Sequence, residues 1–386
     1  MRSSLSNENT GDGVVFIADR VMHYHVATLQ AIEQRLASRG IPFSVLSAKD
    51  PDGAVGRVGL RGKVVTSHHH FRLTERKIGG FQIRYQHDLL IQLRRLNPKV
   101  VISMCHSGTI SEWSMLSWAG SHGIKCVSWQ CGYEYNPGRV KRFALRRFMP
   151  LFDYHLCYHS NAKKYSIRHG ALAQQTLVMH NTIDESKIVV GDQAAAKATI
   201  GLQWPIINKK KIILYVGAIL EEKRLDTVFA ALDLLANHSI VFLVVGDGPY
   251  LPVLRDRYGN RNDWLAVGNI VAGVGDYFDA ADVFVLPGTG GLAINEAMAH
   301  RRPVVAGYAD GSADDLVVDG ETGFRLRTDD PSELADRLSQ LLADPKRAAE
   351  MGEKGEALIR GQLSFEYFID RVVGVLTEQH ELAMAI

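Results

Sequence analysis

Short apolar runs of strand length alternate with longer segments carrying apolar residues at helical spacing over most of the 386 residues. The run from Val14 to Ala18 is followed by a helical pattern from Val26 to Ala37, which Gly40 ends, and by a new run opening at Phe43. This β–α–β beginning predicts an open parallel sheet. Strands are predicted at 98–103, 125–129, 154–158 and 176–179, with helical stretches at 89–96, 112–119 and 161–169. Residues 50–80 have no clear period, and the histidines at 68–70 alternate faces on any strand, so they cannot all converge on one metal. A polar segment from about 184 to 208 contains one helical stretch and no strand, and reads as a boundary. The alternation then restarts at 212–216 and runs to closing helices at 332–342, 346–359 and 364–377. The expected fold class is α/β, with two Rossmann-like βα domains facing a cleft. They span 1–185 and 186–365, and a last helix, 366–386, packs on the first domain.

One stretch, 282–306 (DVFVLPGTGGLAINEAMAHRRPVVA), concentrates candidate chemistry. Four apolar residues from Val283 to Leu286 meet Pro287 and Gly288, Gly290 and Gly291 permit a tight turn, and a helical run follows until Pro303. A glycine turn feeding a helix start presents unpaired N–H groups and the positive dipole end, which suits phosphate. Leu292 and Glu296 are four apart and share one helical face, so Glu296 is in reach of a ligand on that turn. The plain alternative is a buried strand–turn–helix in which the glycines only make the turn.

Composition narrows the classes. Hydrophobic residues at 46% and charged residues at 22% are ordinary for a globular protein, and a net charge of +2 gives no global case for nucleic acid. The polar start, MRSSLSNENTGDG, lacks a signal-peptide core, and no apolar stretch reaches the ~18 residues of a membrane span. Four cysteines without CxxC spacing form no disulfide framework and read as reduced thiols of a cytoplasmic protein. Basic charge is local: residues 139–152 (RVKRFALRRFMPLF) interleave five cations with Phe143, Leu145, Phe148 and Leu151. That segment reads either as a solvated surface helix or as a peripheral contact with an anionic membrane face.

Several familiar chemistries lack their signatures. The chain has neither GxxxxGK[ST] nor GxSxG, and VVGDGP at 244–249 begins a dinucleotide fingerprint without completing it. Phosphate-ready chemistry does recur at YVGAILEEKR (215–224), a strand, a glycine turn and a cationic pair before a helix. Lys223 offers a point charge to a diphosphate and Arg224 a fork. On the first-domain rim, His23 and His25 follow the first strand, and His106 and the loop with Tyr133 and Glu134 follow later ones.

HNTID, YVGAILEEKRLD, VVGDGP, AADVFVLP, GGLAINEAMAHRRPVVA and DLVVDGETGFRL together resemble the nucleotide-sugar-dependent glycosyltransferases of GT-B architecture, specifically the large retaining family four. HYHVATLQAIEQRL, PKVVISMCHSG and VSWQCGYEYNP resemble, more loosely, the acceptor domain of bacterial polysaccharide enzymes in that family. The resemblance implies a transferase moving a sugar from a nucleoside-diphosphate donor to a saccharide or lipid-linked saccharide, with retention and without a metal or other cofactor. It implies that Glu296 holds the ribose hydroxyls, that Gly290, Gly291 and Leu292 offer N–H groups to the diphosphate, and that Lys223 neutralises the leaving group. It further implies that Gly217 and Gly246 let backbone approach the donor, with Arg224 beside them, that Asn269, Ile270 and Val271 flank the base, and that His106 touches the donor sugar. His23, His25, Tyr133 and Glu134 would face the acceptor.

Two positions depart from the family pattern. Ala218 stands where an arginine is usual, and Gly288 where the first glutamate of a paired-glutamate motif is usual. Arg224 is a candidate substitute for the first. The second leaves Glu296 as the one placed acid, so a catalytically silent nucleotide-sugar-binding partner is an alternative, and a nucleotide-sugar epimerase a further one.

Overall fold

A computed structural model describes residues 11–49, 63–78, 81–130, 138–180, 182–235, 239–270, 272–307 and 311–385, with backbone alone for His23 and Phe81. Tyr133, Glu134 and Val271 lie outside the described residues. The chain divides into two compact units, 1–179 with 369–386, and 180–368.

The first unit carries strands β1 (Val14–Ala18), β2 (Phe43–Ala48), β3 (Ser67–Phe71), β4 (Leu73–Ile78), β5 (Phe81–Gln86), β6 (Val100–Ser103), β7 (Lys125–Gln130), β8 (Tyr154–Cys157) and β9 (Thr176–Val178). Its helices are α1 (Val26–Ala37), α2 (Leu89–Leu96), α3 (Ile110–Ser121), α4 (Arg139–Phe148) and α5 (Ser160–Arg168). Seven strands form one sheet in the order β3-β2-β1-β6-β7-β8-β9, every neighbouring pair parallel. Parallel strands covered on both faces are apolar throughout, and every residue of β1 and β2 is buried. The remaining pair, β4 and β5, is an antiparallel hairpin. Sequence pattern missed β4 because LTERKI lacks apolar alternation, and five of its six residues are charged, polar or exposed.

The second unit carries α6 (Gln193–Gln203), β10 (Lys211–Val216), α7 (Leu225–Leu235), β11 (Ile240–Val245), α8 (Leu251–Tyr258), β12 (Trp264–Gly268), α9 (Val274–Ala280) and β13 (Val283–Leu286). It continues with α10 (Leu292–Ala299), β14 (Val304–Ala306), α11 (Ala313–Leu316), β15 (Gly323–Arg325), α12 (Pro331–Ala343), α13 (Pro345–Arg360) and the start of α14 (Phe365–Met384). The last helix begins in this unit and belongs to the first from Ile369 onward. The sheet order is β12-β11-β10-β13-β14-β15, again parallel at each pair. All six residues of β11 are buried, and Tyr215, Phe229, Phe242, Phe278 and Phe284 fill the core between sheet and helices.

Each sheet reverses its winding at one place, between β1 and β6 in the first unit and between β10 and β13 in the second. Loops leaving the carboxyl ends of such a pair diverge to opposite faces and open a crevice where ligands sit in open α/β sheets. The fold therefore sets aside two rims, one in each unit.

Candidate functional site

At the second unit's switch point, the turn after β10 (217–224) and the elbow after β13 (287–291) lock together. The backbone N–H of Thr289 donates to the carbonyl of Glu222 at 3.2 Å. The Nζ of Lys223 donates to the carbonyl of Thr289 at 2.5 Å. Gly288 makes this contact possible: a Cβ there would stand 2.1 Å from the Glu222 oxygen and 2.6 Å from the Lys223 carbonyl carbon. The space a side chain at 288 would need is filled by backbone of the neighbouring turn.

Beyond Gly288, Gly290 packs on Leu286 and Gly291 is the N-cap of α10, with no side chain capping the first turn. A helix start without a side-chain cap keeps its N–H groups for a ligand or water. One turn along, Glu296 is mostly buried and its carboxyl is pushed up to about 7 by desolvation alone. Among the described residues no cation pairs with it. Its neighbour Asn295 is 1% exposed and donates to Thr182 Oγ1 at 3.2 Å, while His180, at φ 56°, faces Asp315 at 3.4 Å. The HNTID segment is therefore tied to the helices around the elbow. The same helix is anchored behind by His300, whose Nδ1 lies 2.7 Å from Asp279 in a buried pair stacked on Phe278.

The second glycine turn closes on the first. Gly246 has φ 138°, and a Cβ there would stand 2.0 Å from the Gly217 carbonyl oxygen. Ile219 donates to Asp247 and Tyr250 to Ile219, which fastens 217–219 to 246–250. Ala218 is exposed, and its carbonyl accepts from the buried Tyr215 hydroxyl at 2.8 Å. Arg224 has φ 55° and its guanidinium is paired with Asp329. Asn269 is exposed and Ile270 half-buried on the core just past β12. The structure thus brings Gly217, Lys223, Gly246, Gly288, Gly290, Gly291, Leu292 and Glu296 to one rim, with Asn269 and Ile270 after the adjoining strand.

The first unit's switch point places Asp19 after β1 and His106 after β6. His106 is half-buried; its N–H donates to Glu112 Oε2 at 3.0 Å and its carbonyl accepts from Thr109. Glu112 is 1% exposed, and burial, with Asp19 nearby, pushes its carboxyl up to about 8. The hairpin packs on this loop through Arg84, whose N–H donates to the Gly108 carbonyl and whose guanidinium meets Asp19 at 3.2 Å and Glu75 at 3.0 Å. Arg20 reaches Glu75 at 2.9 Å. His25 stands at the start of α1, where its Nδ1 accepts from the Met22 N–H at 3.4 Å. The His23 side chain lies outside the described residues. Sequence reading missed Arg84 and Glu112. Glu112 did carry a signal, because its i+3, i+4 and i+7 neighbours Met115, Leu116 and Ala119 are all apolar and buried, and an acid on such a face needs a partner. The histidine run on β3 alternates as expected, with the His68 and His70 rings 4.4 Å apart on one face and His69 on Ser67 on the other.

Two parallel βα units with these rims define a GT-B fold, and known proteins agree. The solved structure of Anabaena HepE in complex with UDP superposes with a TM-score of 0.70 at 15% identity, covering 95% of this chain and all of that one. Sucrose-phosphate synthase of Thermosynechococcus elongatus superposes at 0.71 with 18% identity, covering 95% and 98%. The class is therefore the GT-B glycosyltransferase fold. Within it, residues 198–358 match the family described as glycosyl transferases group 1. Among relatives, the alpha-D-kanosaminyltransferase of Streptomyces kanamyceticus is 29% identical over 45% of this chain and 47% of its own. A sulfoquinovosyl transferase of Arabidopsis thaliana is 31% identical over 69% and 64%. The chain thus spans about half to under two thirds of the length of these curated relatives.

Proposed function

We propose that this chain transfers a glycosyl unit from a nucleoside-diphosphate sugar to a saccharide or lipid-linked saccharide, with retention, in the assembly of bacterial surface polysaccharide. The observation that carries the reading is the locked elbow. A helix start, the Lys223 ammonium and the Glu296 carboxyl stand together at the switch point of one sheet.

Charge develops on the diphosphate as the sugar departs, and preorganised donors aimed at that charge lower the barrier most. The N–H groups at residues 290–292 and the Lys223 ammonium supply that field, so no metal is assigned to the step. Glu296 accepts the ribose hydroxyls and fixes the donor's register. The first unit binds the acceptor, with His106 held by Glu112 at its rim.

Donor turnover with an acceptor panel, followed by release of nucleoside diphosphate, tests this. Lys223→Ala and Glu296→Ala should each lower kcat/KM by about 10²–10³, and EDTA should leave the native rate unchanged. A catalytically silent donor-binding protein is the second reading. It is favoured by the engagement of Arg224, the candidate replacement for the arginine absent at Ala218, with Asp329. Tight donor binding without turnover against every acceptor would select it.

A further inference from the structure

We infer that the first unit carries a separate binding site for a phosphate group, placed at the carboxyl ends of β1, β2 and β3. Ala48 pairs with Phe71 in the parallel register, so Lys49 and Arg72 leave adjoining strands side by side. The backbone of Ala48 is itself bonded to Asp19, and that of Lys49 to Phe71, so Arg20, Lys49 and Arg72 follow three neighbouring strand ends. They line a cavity of about 470 Å³ together with His70 and Glu75, a size that ordinary small-molecule sites share.

The charges in this cavity do not cancel. Glu75 is taken up by Arg20 and Arg84, and Asp19 by Arg84 and the Gln86 amide. Among the described residues no carboxylate is paired with Lys49 or Arg72; the Arg72 guanidinium lies 3.2 Å from His87 Nδ1. Two cations on a concave rim, with no carboxylate paired to them among the described residues, suit a tetrahedral dianion: Arg offers a fork and Lys a point charge. The Arg20–Glu75–Arg84 chain then links this cavity to the loop bearing His106. Resting on the reading of this unit as the acceptor-binding one, the site takes the phosphate of a phosphorylated acceptor, whether a soluble sugar phosphate or a lipid headgroup.

Calorimetric titration of the whole chain with inorganic pyrophosphate tests the site without catalysis. Native protein should show two binding events. Lys49→Gln/Arg72→Gln should weaken one by tenfold or more, and Lys223→Gln should spare that event while weakening the other. Both changed residues of the double variant are exposed, so its melting temperature should match the native value. Displacement by glucose 1-phosphate assigns the site to a soluble phosphate, and displacement by phosphatidylglycerol vesicles alone assigns it to a headgroup. Unchanged binding in the double variant, or a single event that only Lys223→Gln removes, overturns the site while leaving the donor seat intact. A single event that only the double variant removes would instead count against the donor reading.

Discussion

Glu296 has a carboxyl whose burial raises it toward 7, with no cation among the described residues to offset the cost. In the empty protein the acid form is therefore favoured up to near neutrality, whereas hydroxyl groups donating to it favour the carboxylate. Donor binding should release a proton below pH 7, and affinity should fall by up to about tenfold per unit as pH drops from 7 toward 5.5. For stability the sign is opposite: a raised acid holds its proton more tightly when folded, so its contribution declines as pH climbs from 4.5 to about 7. Titrating donor at several pH values checks the first point. Glu296→Gln should bind more weakly and show no such slope; a slope unchanged in that variant would assign the titration elsewhere. At this scale the sequence was informative where spacing alone decided the matter, as with Glu296 one turn past a glycine elbow. It was silent on the partner of Arg224, because the pairing with Asp329 joins residues 105 apart in the chain.

The turn after β10 and the elbow after β13 work as one element because no side chain separates them at Gly288. Gly288→Ala places a methyl group 2.1 Å from the Glu222 carbonyl oxygen and must push the turns apart. Overpacking of this kind costs about 1–3 kcal/mol, which chemical denaturation would read as a lowered midpoint. Donor affinity should drop as well, since the displaced turn carries Lys223. A variant with native stability and native affinity would show that the two loops are not coupled. Most elements of both units were legible from apolar runs: Val14–Ala18, Val26–Ala37 and Leu89–Leu96 occupy the predicted bounds, and β10 falls within a residue of its own. Strand β4 was not, because it is largely exposed and charged, and β15 was not, because three residues carry no period. Strand order was likewise hidden. Alternating β and α patterns imply parallel pairing, yet the reversal between β10 and β13, which creates the crevice, depends on packing that no local pattern encodes.

Across the whole molecule, chemistry concentrates where each sheet reverses, and five cations gather on the ten-residue helix α4. Leu145 and Phe148 of that helix are buried, whereas Val140 is 69% and Phe143 61% exposed, with Arg147 stacked over the Phe143 ring at 4.5 Å. Among the described residues no helix is long and apolar enough to cross a membrane. An exposed apolar pair among Arg139, Lys141, Arg142, Arg146 and Arg147 fits a shallow seat on anionic lipid, each cation near the surface adding about 1 kcal/mol. Cosedimentation with phosphatidylglycerol vesicles should fall sharply in Phe143→Ser/Arg146→Gln/Arg147→Gln and in high salt, and should be absent with phosphatidylcholine. Equal sedimentation of variant and native protein would return α4 to the role of a solvated helix.

The seat for the diphosphate is tested most directly by a crystal structure with the nucleoside diphosphate that most raises the melting temperature. The account predicts phosphate oxygens on the backbone N–H groups of Gly290, Gly291 and Leu292, the Lys223 Nζ moved from the Thr289 carbonyl onto phosphate, and ribose hydroxyls on Glu296. A diphosphate bound away from that helix start, with Lys223 still on the carbonyl, would contradict it.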